Sequence, residues 1–386
     1  MKPELELYIH IPFCEKKCNY CDFLSFRTDP AIHGTYISQL IKELTGMSAI
    51  CGGYTVSSVF VGGGTPSILQ AEYIEAVLDA VRRNYDLSEY AEITIECNPG
   101  SIMRHKLAAY KNAGVNRRSI GLQSADNAEL KLLGRVHSFE DFLKTYQAAR
   151  MEGFHNINVD LIDCFPMQSM NTWRKTLRTV LMLKPEHVSV YNLIIEPGTP
   201  FYEMQKEGVL MMPSEEEQEE IDSYTKSYMK RSGYIRYEFS NWCRPGFECR
   251  HNYGYWTGVP YLGFGLGASS FFSGYRWKNT DRIEDYLGID LENDPEAFAE
   301  RLRTDITKLS REEKMEEFMY LGLRCTEGVS AMNFLGRFGL SINAVFGVPI
   351  EKNIGLGLIE HEGDRYRLTE RGIDVSNQVL SEFLLH

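Results

Sequence analysis

Tyr8-Ile-His-Ile-Pro-Phe-Cys14-Glu-Lys-Lys-Cys18-Asn-Tyr-Cys21-Asp-Phe23 is the stretch on which the fold turns. It opens in an apolar, β-rich run, Glu6–Ile11, and passes through Pro12 into three thiols spaced C-x-x-x-C-x-x-C. Thiolates hold iron–sulfur clusters, and a four-iron cluster ordinarily takes four of them. Three ligands leave one iron open to an exchangeable small molecule. Lys16 and Lys17 are expected to favour the thiolate form. The alternative is a structural zinc site, which needs a fourth ligand, and only His10 or Asp22 lies near enough in sequence.

Beyond this motif, short apolar runs alternate with segments of helical period, the pattern of a parallel sheet flanked by helices. Strands are predicted at Glu6–Ile11, Ser57–Val61, Glu92–Glu96, Arg117–Gly121, Ile157–Ile162 and His187–Tyr191. Helices are predicted between them near Thr35–Gly46, Ala71–Asn84, Ile102–Asn112, Asn127–Leu133, Glu140–Glu152 and Met170–Leu183. Repeated βα units of this kind close, or half close, into a barrel. The polar residues of interest then share one register. Cys14 to Cys21, Gly62 to Ser67, Glu96 to Pro99, Gln123 and Asp160 fall at or just past C-terminal strand ends, where such barrels keep their active sites.

The expected fold class is therefore α/β: a partial, open parallel β/α barrel followed by a small, mainly helical, winged-helix-like C-terminal domain. The strand–helix rhythm weakens after about Pro200, so the barrel is assigned to 1–235. A Gly- and aromatic-rich connecting segment is assigned to 236–280 and the C-terminal domain to 281–386. In that last part Gly357–Glu360 and Tyr366–Leu368 read as a hairpin about the turn His361–Asp364. Nine cysteines, an odd number, with no secretory signal pattern, fit a reducing cytoplasm better than a disulfide framework. A formal net charge of −12 without a basic stripe argues against a nucleic-acid partner. No apolar run is long enough to span a membrane.

The thiol motif, Gly62-Gly-Gly-Thr-Pro-Ser67, Glu96-Cys-Asn-Pro99 and Ser119-Ile-Gly-Leu-Gln-Ser124 together resemble the radical SAM superfamily. Within it they are similar to the group containing the anaerobic coproporphyrinogen oxidase HemN and the haem chaperone HemW, over nearly the whole chain. The resemblance implies a [4Fe–4S] cluster on Cys14, Cys18 and Cys21, and S-adenosylmethionine bound through its amino and carboxylate groups to the open iron. It further implies cofactor contacts from Tyr8, Tyr20, Gly63, Gly64, Thr65, Glu96, Gln123, Arg135, Asp160 and Ile194. Taken singly, each of these could equally be a buried polar residue satisfied by its neighbours. Ile162-Asp-Cys164-Phe-Pro166 departs from the family's I-x-G-L-P by lacking the glycine, and Ser269 stands where relatives have histidine.

Two activities of different class fit this resemblance: an oxygen-independent coproporphyrinogen III dehydrogenase, and a haem chaperone that passes haem to acceptor proteins. A radical SAM enzyme acting on another tetrapyrrole is a third. The HemN motif continues to a fourth cysteine where this chain has Phe23, and HemN carries an extension ahead of its cluster motif, whereas Cys14 lies near this chain's start. Cys249-Arg-His251-Asn252-Tyr-Gly-Tyr255-Trp256 reproduces the H-N-x-x-Y-W pattern of HemW. All three favour the chaperone. Histidine is a common haem ligand and aromatic side chains offer flat apolar surface, so His251 is the expected haem residue, with Cys249 as a second candidate. No catalytic residue is assigned.

Overall fold

The computed structural model describes residues 2–100, 104–290 and 301–385. Six parallel strands, β1 (Glu4–Ile11), β2 (Thr55–Gly63), β3 (Leu87–Cys97), β4 (Arg117–Gln123), β5 (Ile157–Asp163) and β6 (His187–Asn192), run side by side in chain order. Between them lie α1 (Ala31–Met47), α2 (Ala71–Asn84), α3 (Arg104–Asn112), α4 (Asn127–Leu132), α5 (Phe139–Met151) and α6 (Met170–Met182). These match the expected elements to within a few residues, except that the first two residues of the helix expected from Ile102 lie outside the described residues.

Local chemistry explains the elements. In α2 the buried positions Ala71, Ile74, Val77, Leu78 and Val81 repeat at helical spacing and form one apolar stripe against the sheet. α5 and α6 start with reciprocal caps, Ser138 with Asp141 and Ser169 with Thr172. β4 is buried at every position, as a parallel strand covered on both faces should be. Along β1 the side chains alternate: Leu5, Leu7 and Ile9 are fully buried in the helix-facing core, whereas Glu6, Tyr8 and His10 point to the barrel interior.

The domain boundaries differ from expectation. After α7 (Pro200–Lys206) and α8 (Glu215–Arg231), the strands β7 (Ile235–Arg236) and β8 (Asn241–Cys243) pair antiparallel at the β6 edge. The helix α9 (Arg250–Thr257) follows, and then β9 (Tyr261–Phe264) joins β1 in parallel. β10 (Ser269–Phe272), β11 (Tyr275–Asn279) and, beyond α10 (Ile283–Gly288), β12 (Arg303–Lys308) extend that edge antiparallel. The presumed connector 236–280 is thus part of one 12-stranded open sheet, and so are residues first assigned to the C-terminal domain. Buried polar groups on α1 fasten the extension. Glu43 accepts from Gly265 N–H (2.8 Å), Asn279 Nδ2 (2.7 Å) and Tyr286 OH (2.7 Å), and Gln39 donates to the carbonyls of Tyr286 and Ile289. Such long-range pairings leave no trace in local periodicity.

From Arg311 onward a separate core of Met319, Phe334, Phe346, Ile350, Tyr366 and Phe383 gathers helices around a small sheet. That sheet comprises β13 (Val329–Ser330), β14 (Ile359–Glu362) and β15 (Arg365–Leu368). The hairpin turn is tighter than expected, because Glu362 pairs directly with Arg365. The unit docks on the barrel through Thr326 N–H donating to the Tyr237 carbonyl (3.0 Å) and a bridge between Glu238 and Cys325.

Candidate functional site

The C-terminal ends of β1 to β6 surround a cavity of about 510 Å³. Cys14, Cys18 and Cys21 line it, all partly exposed and none in a disulfide. Their loop is held from two sides. Cys14 N–H donates to the Phe26 carbonyl (3.0 Å), and the N–H groups of Gly64 and Thr65 donate to the carbonyls of Ile11 and Phe13 (both 2.8 Å). A Cβ on Gly64 would lie 2.7 Å from the Phe13 carbonyl oxygen. The glycine run therefore lets the β2 loop approach the cysteine loop's own backbone, a reason distinct from the ligand approach expected from sequence.

Side chains continue this frame around the cavity. Thr65 Oγ1 lies 3.4 Å from Cys14 Sγ and accepts from Asn98 Nδ2 (2.8 Å). Asn98 Oδ1 accepts from Arg135 Nη2 (2.7 Å), which also donates to the Gly121 carbonyl (2.7 Å), while Arg135 Nη1 donates to Cys18 Sγ (3.5 Å). Asn98 lies within the quoted Glu96–Pro99 stretch but carries no role of its own in the sequence reading. Tyr20, Gly63, Glu96, Gln123, Asp160 and Ile194 complete the expected residues on the cavity wall. Gln123 sits at a register shift with φ of 73°, a strained conformation that turns it inward. Tyr8 is not on this wall: its ring packs on Phe60 and its hydroxyl bonds His10 Nδ1 (3.1 Å), because its β1 position faces the lumen below the mouth.

Electrostatics single out two carboxyls. Burial, reinforced by the charge of Asp160, pushes Glu96 up to about 8, even though Gly63 N–H donates to it (3.1 Å). Burial also raises Asp160, against hydrogen bonds from Ser119 and Asn158. Burial likewise raises Cys21; Lys17 lowers it, in the expected direction, but by less than burial raises it.

The donor set fits an iron–sulfur cluster better than a single zinc ion. Among the described residues no three His, Cys, Asp or Glu side chains close to single-ion coordination. Of the two candidates for a fourth zinc ligand, His10 has both ring nitrogens engaged, by Tyr8 and by the Leu24 carbonyl (2.9 Å), while Asp22 lies on the cavity wall. A cube spreads its thiolates over separate irons and tolerates the wider spacing. The missing family glycine is also accommodated: Cys164 holds a left-handed φ of 54°, and its N–H donates to Gln168 Oε1 (2.7 Å).

The second motif lies at the opposite end of the barrel. α9 closes the N-terminal ends of the strands, and His251 is buried there at 1% exposure. Its Nδ1 bonds Ser58 Oγ (2.8 Å) and its Nε2 bonds the Tyr255 hydroxyl (2.8 Å), so both nitrogens are engaged. Burial pushes its pKa down to about 3, which keeps the ring neutral. Cys249 points to Glu92 (3.5 Å) and is fully buried. Hydrogen bonds run through the lumen from one end to the other. Asp160 links through Ser119 and Asn158 to His187 (2.6 Å), and His187 to Tyr237 (2.8 Å), which accepts from Cys249 N–H (3.3 Å). Ser269 lies at the exposed start of β10 and does not line the cavity that holds Cys14, Cys18 and Cys21.

Residues 8–180 match the radical SAM superfamily, and residues 309–375 match the HemN C-terminal domain. The heme chaperone HemW of Bacillus subtilis (strain 168) is 36% identical over 98% of both chains. The heme chaperone HemW of Escherichia coli (strain K12) is 33% identical over 99% of this chain and 98% of its own length. The chain belongs to the radical SAM superfamily, in its HemN/HemW family. Membership carries the [4Fe–4S] cluster and S-adenosylmethionine with it. The mitochondrial radical S-adenosyl methionine domain-containing protein 1 of Mus musculus is 34% identical over 98% of this chain and 87% of its own. Among solved structures, E. coli coproporphyrinogen III oxidase (HemN), described as a radical SAM enzyme, superposes with a TM-score of 0.85 over 99% of this chain and 90% of its own. At 24% identity that likeness shows the shared fold. No helix among the described residues is long and apolar enough to cross a membrane.

Proposed function

We propose that this chain is a cytoplasmic haem chaperone that binds haem and passes it to an acceptor protein. The full-length identity to HemW proteins carries this reading, and the structure adds two supports. Phe23, which stands where HemN continues to another cysteine, is 71% exposed at the cavity rim. The H-N-x-x-Y-W segment is built into α9, away from the cluster.

In this reading Cys14, Cys18 and Cys21 hold the cluster, and the open iron together with S-adenosylmethionine supplies one-electron chemistry when reduced. Arg135 keeps the Cys18 loop in register with Asn98 and Thr65. Glu96 and Asp160 receive the cofactor's hydroxyl or ammonium donors, with Tyr20, Gly63, Gly64, Gln123 and Ile194 around them and Tyr8 supporting from below. His251 serves haem by fixing Tyr255.

A pH dependence follows. Cationic and donor groups of the ligand prefer ionised Glu96, whose pKa without ligand is about 8. Binding then expels a proton at lower pH, so S-adenosylmethionine affinity falls about tenfold per unit well below that value and levels off above it. Calorimetric titration in buffers of different ionisation heat checks this; a flat profile from pH 6 to 9 refutes it.

The deciding experiment reconstitutes the cluster anaerobically and runs two assays on one preparation: haem titration, and incubation with reductant, S-adenosylmethionine and coproporphyrinogen. Haem binding without turnover is expected. Decarboxylated product would overturn the chaperone reading in favour of the dehydrogenase.

A further inference from the structure

The wall that α9 turns away from the barrel forms one side of a second cleft, of about 340 Å³, closed on its other side by the helix Arg311–Gly322 and the C-terminal unit. Tyr253, Tyr255, Trp256, Tyr261, Phe271 and Phe318 supply its aromatic surface. Arg276, Lys314, Arg337 and Arg365 also line it, against only Glu317 and Glu327. Two positive charges are left in excess, in a chain whose overall charge is −12.

The pairing pattern locates that excess. Arg276 is spoken for by Glu317 (2.9 Å) and Arg365 by Glu327 (3.5 Å). Among the described residues neither Lys314 nor Arg337 has a carboxylate within ion-pair distance, and both also line an adjoining hollow that shares Phe271. Flat aromatic walls and two cations with no carboxylate within ion-pair distance together describe a site for a planar aromatic dianion.

Resting on the chaperone reading above, we propose that this cleft is where the porphyrin lies. The macrocycle packs on Tyr255, Trp256, Phe271 and Phe318, and its two propionate carboxylates pair with Lys314 and Arg337. His251 stays behind Tyr255, hydrogen-bonded as found, and acts as a positioning residue for that wall. Affinity then comes from the macrocycle and its carboxylates, with no bond from His251 to iron. The ligand class is a tetrapyrrole dicarboxylate, with or without a metal.

The test uses the full-length, cluster-loaded protein and three probes: haemin, iron-free protoporphyrin IX and its dimethyl ester. Binding is read by the Soret shift and by quenching of tryptophan fluorescence. Wild type should bind haemin and iron-free protoporphyrin within about threefold of each other, a gap of under 1 kcal/mol. The double variant Lys314→Gln/Arg337→Gln, altered at partly exposed rim positions that leave both cores intact, should weaken both acids by about tenfold or more, since charge-assisted pairing to carboxylates is lost. Its affinity for the uncharged ester should equal that of wild type. If haemin binds but iron-free protoporphyrin does not, or the double variant keeps wild-type affinity for both acids, the cleft assignment falls while the chaperone reading stands. If wild type binds none of the probes, the chaperone reading itself falls.

Discussion

Cys18→Ala, reconstituted anaerobically with iron and sulfide, is expected to show no cluster absorbance in the visible range and no iron above background. The cavity has no spare sulfur. Cys97, the other thiol on its wall, is buried at 3% exposure, its sulfur accepting from Arg118 Nη2 (3.0 Å), on a strand that cannot swing. Two remaining thiolates are too few for a cube that ordinarily takes four. The chain itself should stay folded, because Cys18 is partly exposed and contributes to no apolar core. Loss of the colour with a retained far-ultraviolet circular dichroism spectrum is therefore the expected pair of results. An unchanged visible spectrum would refute the ligand assignment.

Gly254→Ala should lower stability by about 3 kcal/mol, the upper end of the cost of overpacking a tight interior. An added Cβ would overlap Glu6 Oε1 and its carboxyl carbon. Glu6 has little room to retreat. It is 2% exposed on the inner face of β1, with His251 4.0 Å away. Relief requires α9 to lift, which would break the bonds of His251 to Ser58 and Tyr255 and deform the cleft wall. Denaturant unfolding measures the loss, and porphyrin titration should report weaker binding in the same variant. Glu6→Ala, by vacating the space, should restore much of both when combined with Gly254→Ala. A double variant no better than the single one would show that the contact is not the cause.

Glu6 has a pH signature of its own. Burial raises its pKa to about 9, so the folded protein carries it uncharged at neutral pH, consistent with the unpartnered Oε2. A carboxyl raised in the folded state contributes stability that is complete below its unfolded value and lost as pH climbs through the folded one. The loss therefore spans the window from roughly 4.3 to about 9. Glu6→Gln, which keeps the shape without the ionisation, should lose less stability than wild type between pH 6 and pH 9. An equal loss of unfolding free energy from pH 6 to pH 9 in wild type and Glu6→Gln, measured by denaturant titration, would contradict the assignment.

What could be read from the chain alone was what its chemistry writes into short distances. Three thiols at tight spacing, six apolar runs separated by helical periods, and the placement of Gly63, Glu96, Gln123 and Asp160 in or beside the C-terminal halves of strands are all local signals. They sufficed for the barrel and most of its mouth. Tertiary structure alone decided that Asn98 joins Thr65 to Arg135, that Tyr8 sits beneath the cavity, and that β9 to β12 extend the sheet through Glu43 and Gln39. It also decided that His251 spends both nitrogens on Ser58 and Tyr255, and that among the described residues Lys314 and Arg337 line the cleft with no carboxylate within ion-pair distance. Those outcomes depend on which side chains meet across long stretches of chain, and periodicity, which records only a residue's face on its own element, holds no information about the partner on the other side.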